Sequence, residues 1–177
     1  MTRAPSGSAR CVRQVVIGVG NRFRRDDGLG PAALARMAGF APDGCELVCL
    51  HGEASALLEA WDRRDVAVVV DALRSGAAPG VIERAVVGDG SRFVPATVSS
   101  THALGLGEAV ELARVLGRLP GRLVVYGVVG ADFGQGEGLS PEVEAALDDL
   151  VDQVLVELTL EARLSRCSDT PGSAELR

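Results

Sequence analysis

Aromatic residues are scarce in this sequence, at 3% of 177 residues, although 47% of the residues are hydrophobic. A core must therefore be built from valine, leucine and alanine, which favours layered α/β packing over an aromatic-rich sandwich. A basic surplus is also absent. The formal net charge of −6 argues against nucleic acid as a partner, because phosphate binding needs a basic face. No stretch approaches the roughly 20 apolar residues of a membrane span, so no membrane partner is predicted.

A metal- or redox-type cysteine pair is missing too. None of the four cysteines, at positions 11, 45, 49 and 167, forms a C-x-x-C pair. Since there is no secretory signal, we interpret all four as reduced thiols of a cytoplasmic protein. Cys45 and Cys49 are four residues apart in one predicted strand, which places them on the same side of it. We expect that strand to be buried.

Short apolar runs alternate with segments of helical spacing along the chain. Strands are predicted at 13–19, 45–51, 65–72, 81–87 and 122–130. Helices are predicted at 31–39, 53–61, 103–117 and 141–164, with Ser140 as the N-cap of the last. The continuous apolar run at 65–72 indicates a central strand, whereas the alternation at 81–87 indicates an edge. This order predicts a three-layer α/β/α sandwich whose twisted sheet is mostly parallel, with one antiparallel strand.

The length of the chain suits one domain. We expect that domain at residues 13–164, because no internal repeat and no long linker divides it. Residues 1–12 carry no long apolar run and are expected to be a flexible leader. Residues 165–177 lack periodicity and are expected to be a disordered tail.

The glycine-rich stretch GVGNRFRRDDGLG at 18–30 follows the first strand but fits neither common phosphate-binding motif. Phe23 stands where G-x-G-x-x-G requires its third glycine, and no Gly-Lys-Ser/Thr follows, as a P-loop would need. Asp26 and Asp27 would repel a phosphate at the helix N-terminus, while the helix dipole favours the ionised form of Asp27. The stretch is therefore predicted to meet a cation.

Ligands of open α/β sheets bind at the carboxyl ends of the strands. The sequence places Asp27 after the first strand, Asp71 at the end of the central strand and His102 before the third helix. Two carboxylates and one imidazole from separate strand ends would make an open, three-ligand metal site. Each residue also has a structural alternative: Asp27 as an N-cap, Asp71 as an acceptor for loop amides, and His102 as an ordinary loop histidine.

A nucleophilic serine is a weaker interpretation, because the sequence has no G-x-S-x-G elbow. A hydroxyl beside His102 could form a nucleophile–base pair, but sequence neighbours seldom point at each other; the candidates are Ser99, Ser100 and Thr101. The other histidine, His51, ends the second strand and could be a surface residue there.

Four blocks of the sequence are similar to one known family. They are GVGNRFRRDDGLGP, VVVDA, SSTHALGL and VVYGVVGADFGQGEGLSPEVEAAL, in that order. They resemble the hydrogenase maturation endopeptidases, the proteases that trim the C-terminus of the large subunit of nickel–iron hydrogenases. The resemblance covers roughly residues 14–160 and implies a three-layer α/β/α fold.

The resemblance also implies a site and a partner. Asp27, Asp71 and His102 match the family's functional triad, as metal-contacting and catalytic residues; many members have glutamate where this chain has Asp27. Asn21 and Asp26 are expected to support the triad, Asn21 by orienting the loop or stabilising an oxyanion. Nickel is implied to arrive in the large subunit precursor as a recognition element, with no permanent cofactor, and the family leans towards a monomer.

Two alternatives stay open at this stage. One is a metal-dependent hydrolase of other substrates on the same scaffold. The other is a non-catalytic, nickel-inspecting maturation factor. The arginines of the first loop are either a solvated face or a contact for an acidic substrate surface; they are Arg22, Arg24 and Arg25.

Overall fold

The computed structural model describes residues 12–88 and 103–168. Within these ranges one sheet is formed by β1 (Gln14–Val19), β2 (Cys45–Leu50), β3 (Val66–Leu73), β4 (Ile82–Val87) and β5 (Arg122–Val129). The strand order is β2-β1-β3-β5-β4. All neighbours are parallel except β4 and β5, which are antiparallel. The predicted sheet, mostly parallel with one antiparallel strand at its edge, is confirmed.

Helices cover both faces of the sheet. They are α1 (Leu29–Met37), α2 (Ala54–Trp61), α3 (Ala103–Leu116) and α4 (Pro141–Ser168), with a 3-10 turn at Arg25–Gly28 before α1. One apolar core joins α1 and α4 to the sheet, and a second core joins α2 and α3 to the opposite face. The three-layer α/β/α sandwich is therefore confirmed.

Strand β3 lies at the centre, and all eight of its residues are buried. Val68 and Val70 pack into the α1–α4 core, whereas Ala67 and Val69 pack into the α2–α3 core. A strand that supplies two cores has to be apolar at every position, which is why its sequence shows no alternation. Asp71 continues this alternation on the α2–α3 face.

Strand β2 was predicted to be buried, and this prediction was wrong. Among the described strands it lies at the edge of the sheet and pairs with β1 alone, and Cys49 is exposed while Cys45 is partly buried. Both thiols stay protonated at neutral pH, since burial raises the pKa of Cys45 to about 11 and also raises that of Cys49. A short apolar run does not by itself distinguish a central strand from an edge strand.

Several helix ends differ from the prediction, by one to four residues. Helix α1 begins at Leu29, before Pro31, because the 3-10 turn leads directly into it. Helix α4 continues to Ser168, past the predicted end at 164. Most of the predicted leader and tail, and the segment 89–102, lie outside the described residues. No helix in the described part of the chain is both long and apolar enough to cross a membrane.

A buried carboxylate fastens α4 to the sheet near its β4 edge. Glu157 accepts hydrogen bonds from Arg84 at 2.8 Å, from Arg122 at 3.0 Å and from the hydroxyl of Tyr126 at 3.2 Å. Burial alone would raise the pKa of Glu157, but the two guanidinium groups outweigh it, so the pKa is lowered. The side chain is thus held ionised, and the helix is joined to β4 and β5 together.

We expect Glu157→Gln to lower the free energy of unfolding by about 1–2 kcal/mol at neutral pH, because charge-assisted hydrogen bonds are lost. The pKa of Glu157 is lower in the folded protein than in the unfolded chain. Its contribution is therefore present above the unfolded-state pKa and is lost as the pH falls through the folded-state value. Urea denaturation at neutral and acidic pH measures this: the difference between wild type and variant should narrow in acid.

Glu144→Gln on the same helix is the matched control, because Glu144 is exposed and pairs with an exposed Arg36. Surface pairs of this kind contribute little. Equal destabilisation by the two substitutions at neutral pH would contradict the role given to Glu157.

Candidate active site

Two of the three predicted triad residues lie at the carboxyl edge of the sheet. Asp71 lies near the carboxyl end of β3, and Asp27 lies in the 3-10 turn that follows β1. That turn is in contact with both α1 and β3. Both carboxylates are buried, with 2% of Asp27 and 3% of Asp71 exposed. Buried carboxylates need hydrogen-bond donors or a cation nearby.

Asp27 is held by the turn at Gly20 and Asn21. The amide of Asn21 donates to the Oδ2 atom of Asp27 at 3.1 Å and to its main-chain oxygen at 3.0 Å. A Cβ atom at residue 20 would lie 1.8 Å from that main-chain oxygen, and its φ is +136°. Only glycine fits this turn. The side-chain oxygen of Asn21 accepts a hydrogen bond from the amide of Phe23 at 3.0 Å, within the same loop.

Asp71 is fixed by its own strand. Its Oδ1 atom accepts a hydrogen bond from the amide of Ala72 at 2.8 Å. The residue beside it on β5 is Gly127, which adds no Cβ atom next to the carboxylate. Asp71 therefore sits on the α2–α3 face of the sheet, where the side chain of Leu73 fills the space over Gly127.

His102 lies outside the described residues, as do Ser99, Ser100 and Thr101. What the structure does describe is the helix that follows. Gly105 packs on the loop after β2, because a Cβ atom there would lie 2.0 Å from the carbonyl oxygen of Gly52. The start of α3 is thus close to the end of β2. Among the described residues, no three His, Cys, Asp or Glu side chains form a group that could hold a metal ion. The three-ligand site stays a prediction.

Asp26 has a structural role that the sequence did not reveal. It is fully buried, and its carboxylate accepts hydrogen bonds from the amides of Ala131 at 2.7 Å, Asp132 at 2.8 Å and Ser140 at 2.6 Å. The hydroxyl of Ser140, predicted as an N-cap, donates to the same carboxylate at 2.9 Å. Asp26 therefore joins the loop of the triad's first aspartate to the glycine-rich loop between β5 and α4.

The ionised form of Asp26 is strongly favoured by these donors. Burial alone would raise the pKa of Asp26, but the hydrogen bonds from the three amides and the Ser140 hydroxyl outweigh it, so the pKa is lowered. Its own amide donates to the carbonyl oxygen of Asp132 at 3.0 Å. Nothing in the D-D pair itself distinguishes this carboxylate from Asp27, because its donors come from residues more than 100 positions away.

Two of the three arginines of the first loop, Arg22 and Arg25, are exposed and pair with acids of the loop that faces them. Arg22 lies 3.6 Å from Glu137, and Arg25 lies 3.9 Å from Asp132. Phe23 is 55% exposed, and the guanidinium of Arg22 stacks on its ring. These side chains are at the rim of the edge, where a partner can reach them.

The comparison with protein families agrees with this arrangement. The HycI family model, described as hydrogenase maturation protease, matches residues 52–157. The chain belongs to the hydrogenase maturation protease family. The match includes β3 with Asp71, and residue 102.

Individual members of the family are similar over most of this chain. The Hydrogenase 2 maturation protease of Escherichia coli K12 is 30% identical over 153 residues, covering 83% of this chain and 91% of that protein. The hydrogenase expression/formation protein HupD of Thiocapsa roseopersicina is 31% identical over 147 residues, covering 77% of this chain and 66% of that protein.

The fold of this hydrogenase maturation protease family member also agrees with solved structures. The hydrogenase maturating endopeptidase HybD of Escherichia coli superposes with a TM-score of 0.72 at 29% identity, over 84% of this chain and 93% of that one. HybD of Thermococcus kodakarensis, at 22% identity, shares the fold with a TM-score of 0.69, over 83% of this chain and 99% of that one.

We expect Asp26→Asn to lower the free energy of unfolding by roughly 2–3 kcal/mol, because the amide group turns hydrogen atoms towards main-chain donors that then lose their acceptor. The lowered pKa of Asp26 means that its contribution is present above the unfolded-state pKa and is lost as the pH falls through the folded-state value. Chemical denaturation of both proteins measures the loss.

Glu137→Gln is the control, since Glu137 is an exposed acid of the same facing loop. It should unfold like the wild type. Wild-type stability in Asp26→Asn would remove the structural role and return this carboxylate to the group of site candidates.

Proposed function

We propose that the protein is an endopeptidase that removes a C-terminal peptide from the large subunit precursor of a nickel–iron hydrogenase, after nickel has been loaded. The observation that carries the proposal is the pair of buried carboxylates, Asp27 and Asp71, at the carboxyl edge of a hydrogenase maturation protease fold. The family match includes the central strand with Asp71. Membership of this family supports a protein substrate rather than a small amide.

Asp27, Asp71 and His102 are assigned to the metal that the precursor carries. Carboxylate and imidazole ligands suit a borderline divalent metal. A site with three protein ligands leaves further positions for the precursor's own ligands. A cation also offsets the unfavourable burial of two carboxylates at one edge. Nickel is then part of the substrate, and we propose no resident cofactor.

The chemical step is hydrolysis of one peptide bond of the precursor. One carboxylate, Asp27 or Asp71, orients and deprotonates the attacking water. The precursor's metal either polarises the scissile carbonyl or only positions the tail. In both versions the two carboxylates have to be held in place, and the amides of Asn21 and Ala72 each bind one of their oxygens. Asn21 is also proposed to support the developing oxyanion.

We propose that the protein works in the cytoplasm as a monomer, with the precursor as its partner and without nucleic acid or membrane. Two observations support this. Cys45 and Cys49 are both free thiols, which is usual in a reducing compartment. The net charge of −6 disfavours a nucleic acid partner.

The intact mass of a nickel-loaded precursor, before and after incubation with this protein, tests the proposal. We expect a single loss of a C-terminal peptide, and no loss with the nickel-free precursor. Asp71→Asn and His102→Ala should each reduce the cleavage rate by about 100-fold or more, because a proton-transfer or metal-contacting group is removed. Glu137→Gln, at the rim of the same edge, should cleave like the wild type.

Each alternative outcome has its own meaning. Triad-dependent binding of the precursor with an unchanged mass would indicate a non-catalytic inspection factor. Equal cleavage of the nickel-free precursor or of unrelated peptides would indicate a hydrolase with other substrates. Full activity of a folded Asp71→Asn protein would contradict the assigned site.

A further inference from the structure

His51 follows β2 directly and lies beside the turn that holds Asp27. The Nδ1 atom of its exposed ring lies 3.2 Å from the carbonyl oxygen of Gly20. A carbonyl oxygen can only accept a hydrogen bond, so Nδ1 has to be the donor. This assigns the tautomer of the neutral ring, with the proton on Nδ1 and the lone pair on Nε2.

The carbonyl of Gly20 and the amide of Asn21 belong to one rigid peptide group. That amide donates to the carboxylate of Asp27 at 3.1 Å and to its main-chain oxygen at 3.0 Å. In a trans peptide the C=O and N–H bonds point in opposite directions. His51 and Asp27 therefore hold the same peptide plane from its two sides, and a bond at one side fixes the direction of the other.

The backbone at Gly20 shows why a side chain is needed there. The amide of Gly20 donates to the carbonyl oxygen of Leu50 at 3.0 Å, which continues the parallel ladder between β1 and β2. The next donor in that ladder would be the amide of residue 52, but Gly52 leaves the extended conformation with a φ of +94°. The imidazole of His51 takes the place of the missing main-chain donor.

Gly20 itself cannot fix the orientation of this peptide group. Its φ of +136° is accessible to glycine, which has the widest conformational freedom of any residue. An external bond on its carbonyl therefore restricts the turn more than it would at another residue.

We propose that His51 is a positioning residue for the active site, which orients the Gly20–Asn21 peptide so that its N–H binds and aligns Asp27. This inference rests on the proposed function. It gives His51 a role through Nδ1 and requires no contact between its ring and the precursor. Loss of the bond should therefore reduce kcat and leave KM nearly unchanged.

Three substitutions separate the two ring nitrogens. The amide nitrogen of asparagine reaches the place of Nδ1, whereas that of glutamine reaches the place of Nε2. We expect His51→Asn to keep kcat within about threefold of the wild type, and His51→Gln and His51→Leu to lower it roughly 10- to 100-fold, as for other residues that orient a metal-contacting group. Cleavage of the nickel-loaded precursor is the assay, and thermal unfolding confirms that each variant is folded.

The opposite ranking would overturn the inference. If His51→Gln is active and His51→Asn is not, Nε2 is the working nitrogen and the ring contacts the precursor directly. If all three variants cleave like the wild type, His51 has no role in positioning. These outcomes are distinct from failure of the proposed function, in which the wild-type protein itself leaves the precursor uncut.

A second measurement needs no substrate. The sequence has two histidines, so His51 is the remaining one in the His102→Ala protein. Long-range ¹H–¹⁵N correlation spectra of that protein at mildly alkaline pH should show the neutral ring protonated at Nδ1. A ring protonated at Nε2 would exclude the bond to Gly20 and with it the proposed role.

Discussion

The hydrogen bonds of one buried carboxylate, that of Asp26, determine the geometry of this site. Asp26 draws together the loop after β1, the loop after β5 and the start of α4, because its two oxygens accept from Ala131, Asp132 and Ser140. The next residue in the chain is Asp27, whose position follows from that anchor. The two adjacent aspartates thus differ in role. Asp26 accepts hydrogen bonds from the loop after β5 and the start of α4, whereas Asp27 lies at the carboxyl edge of the sheet.

This division explains why a glycine-rich turn carries acids where other folds bind phosphate. Gly20 lets Asn21 approach the main chain and the carboxylate of Asp27. The main-chain amide of Asn21 therefore donates to a carboxylate of the protein itself. A phosphate would compete with that anion for the same donors and would be repelled by it. A cation meets neither obstacle. The turn is rich in glycine, as a phosphate loop is, but its two acids disfavour an anion.

Much of the fold follows from patterns that are local in the sequence. The unbroken apolar run of β3 and the alternation of β4 predicted a central strand and an edge strand, and both are confirmed. The exposure of Cys49 shows where local patterns fail. Whether a strand is central or at the edge depends on how the whole sheet is assembled, which a short apolar run does not reveal. The roles of Asp26 and His51 have the same origin. Their partners lie far along the chain or in a turn whose conformation the sequence does not specify. The role of His102 as a site residue stays a prediction, because it lies outside the described residues.

Rigid acids at the edge also bear on how the proposed protease would select its substrate. Asp27 and Asp71 are fixed by main-chain amides before any partner arrives, so they need little rearrangement on binding. Under the proposed function, the nickel of a loaded precursor brings a positive charge to two carboxylates that are already in place, and a precursor without nickel does not. Arg22 and Arg25, at the rim, pair with acids of the facing loop. On this proposal, the two carboxylates assigned to hydrolysis would also discriminate between loaded and empty substrate.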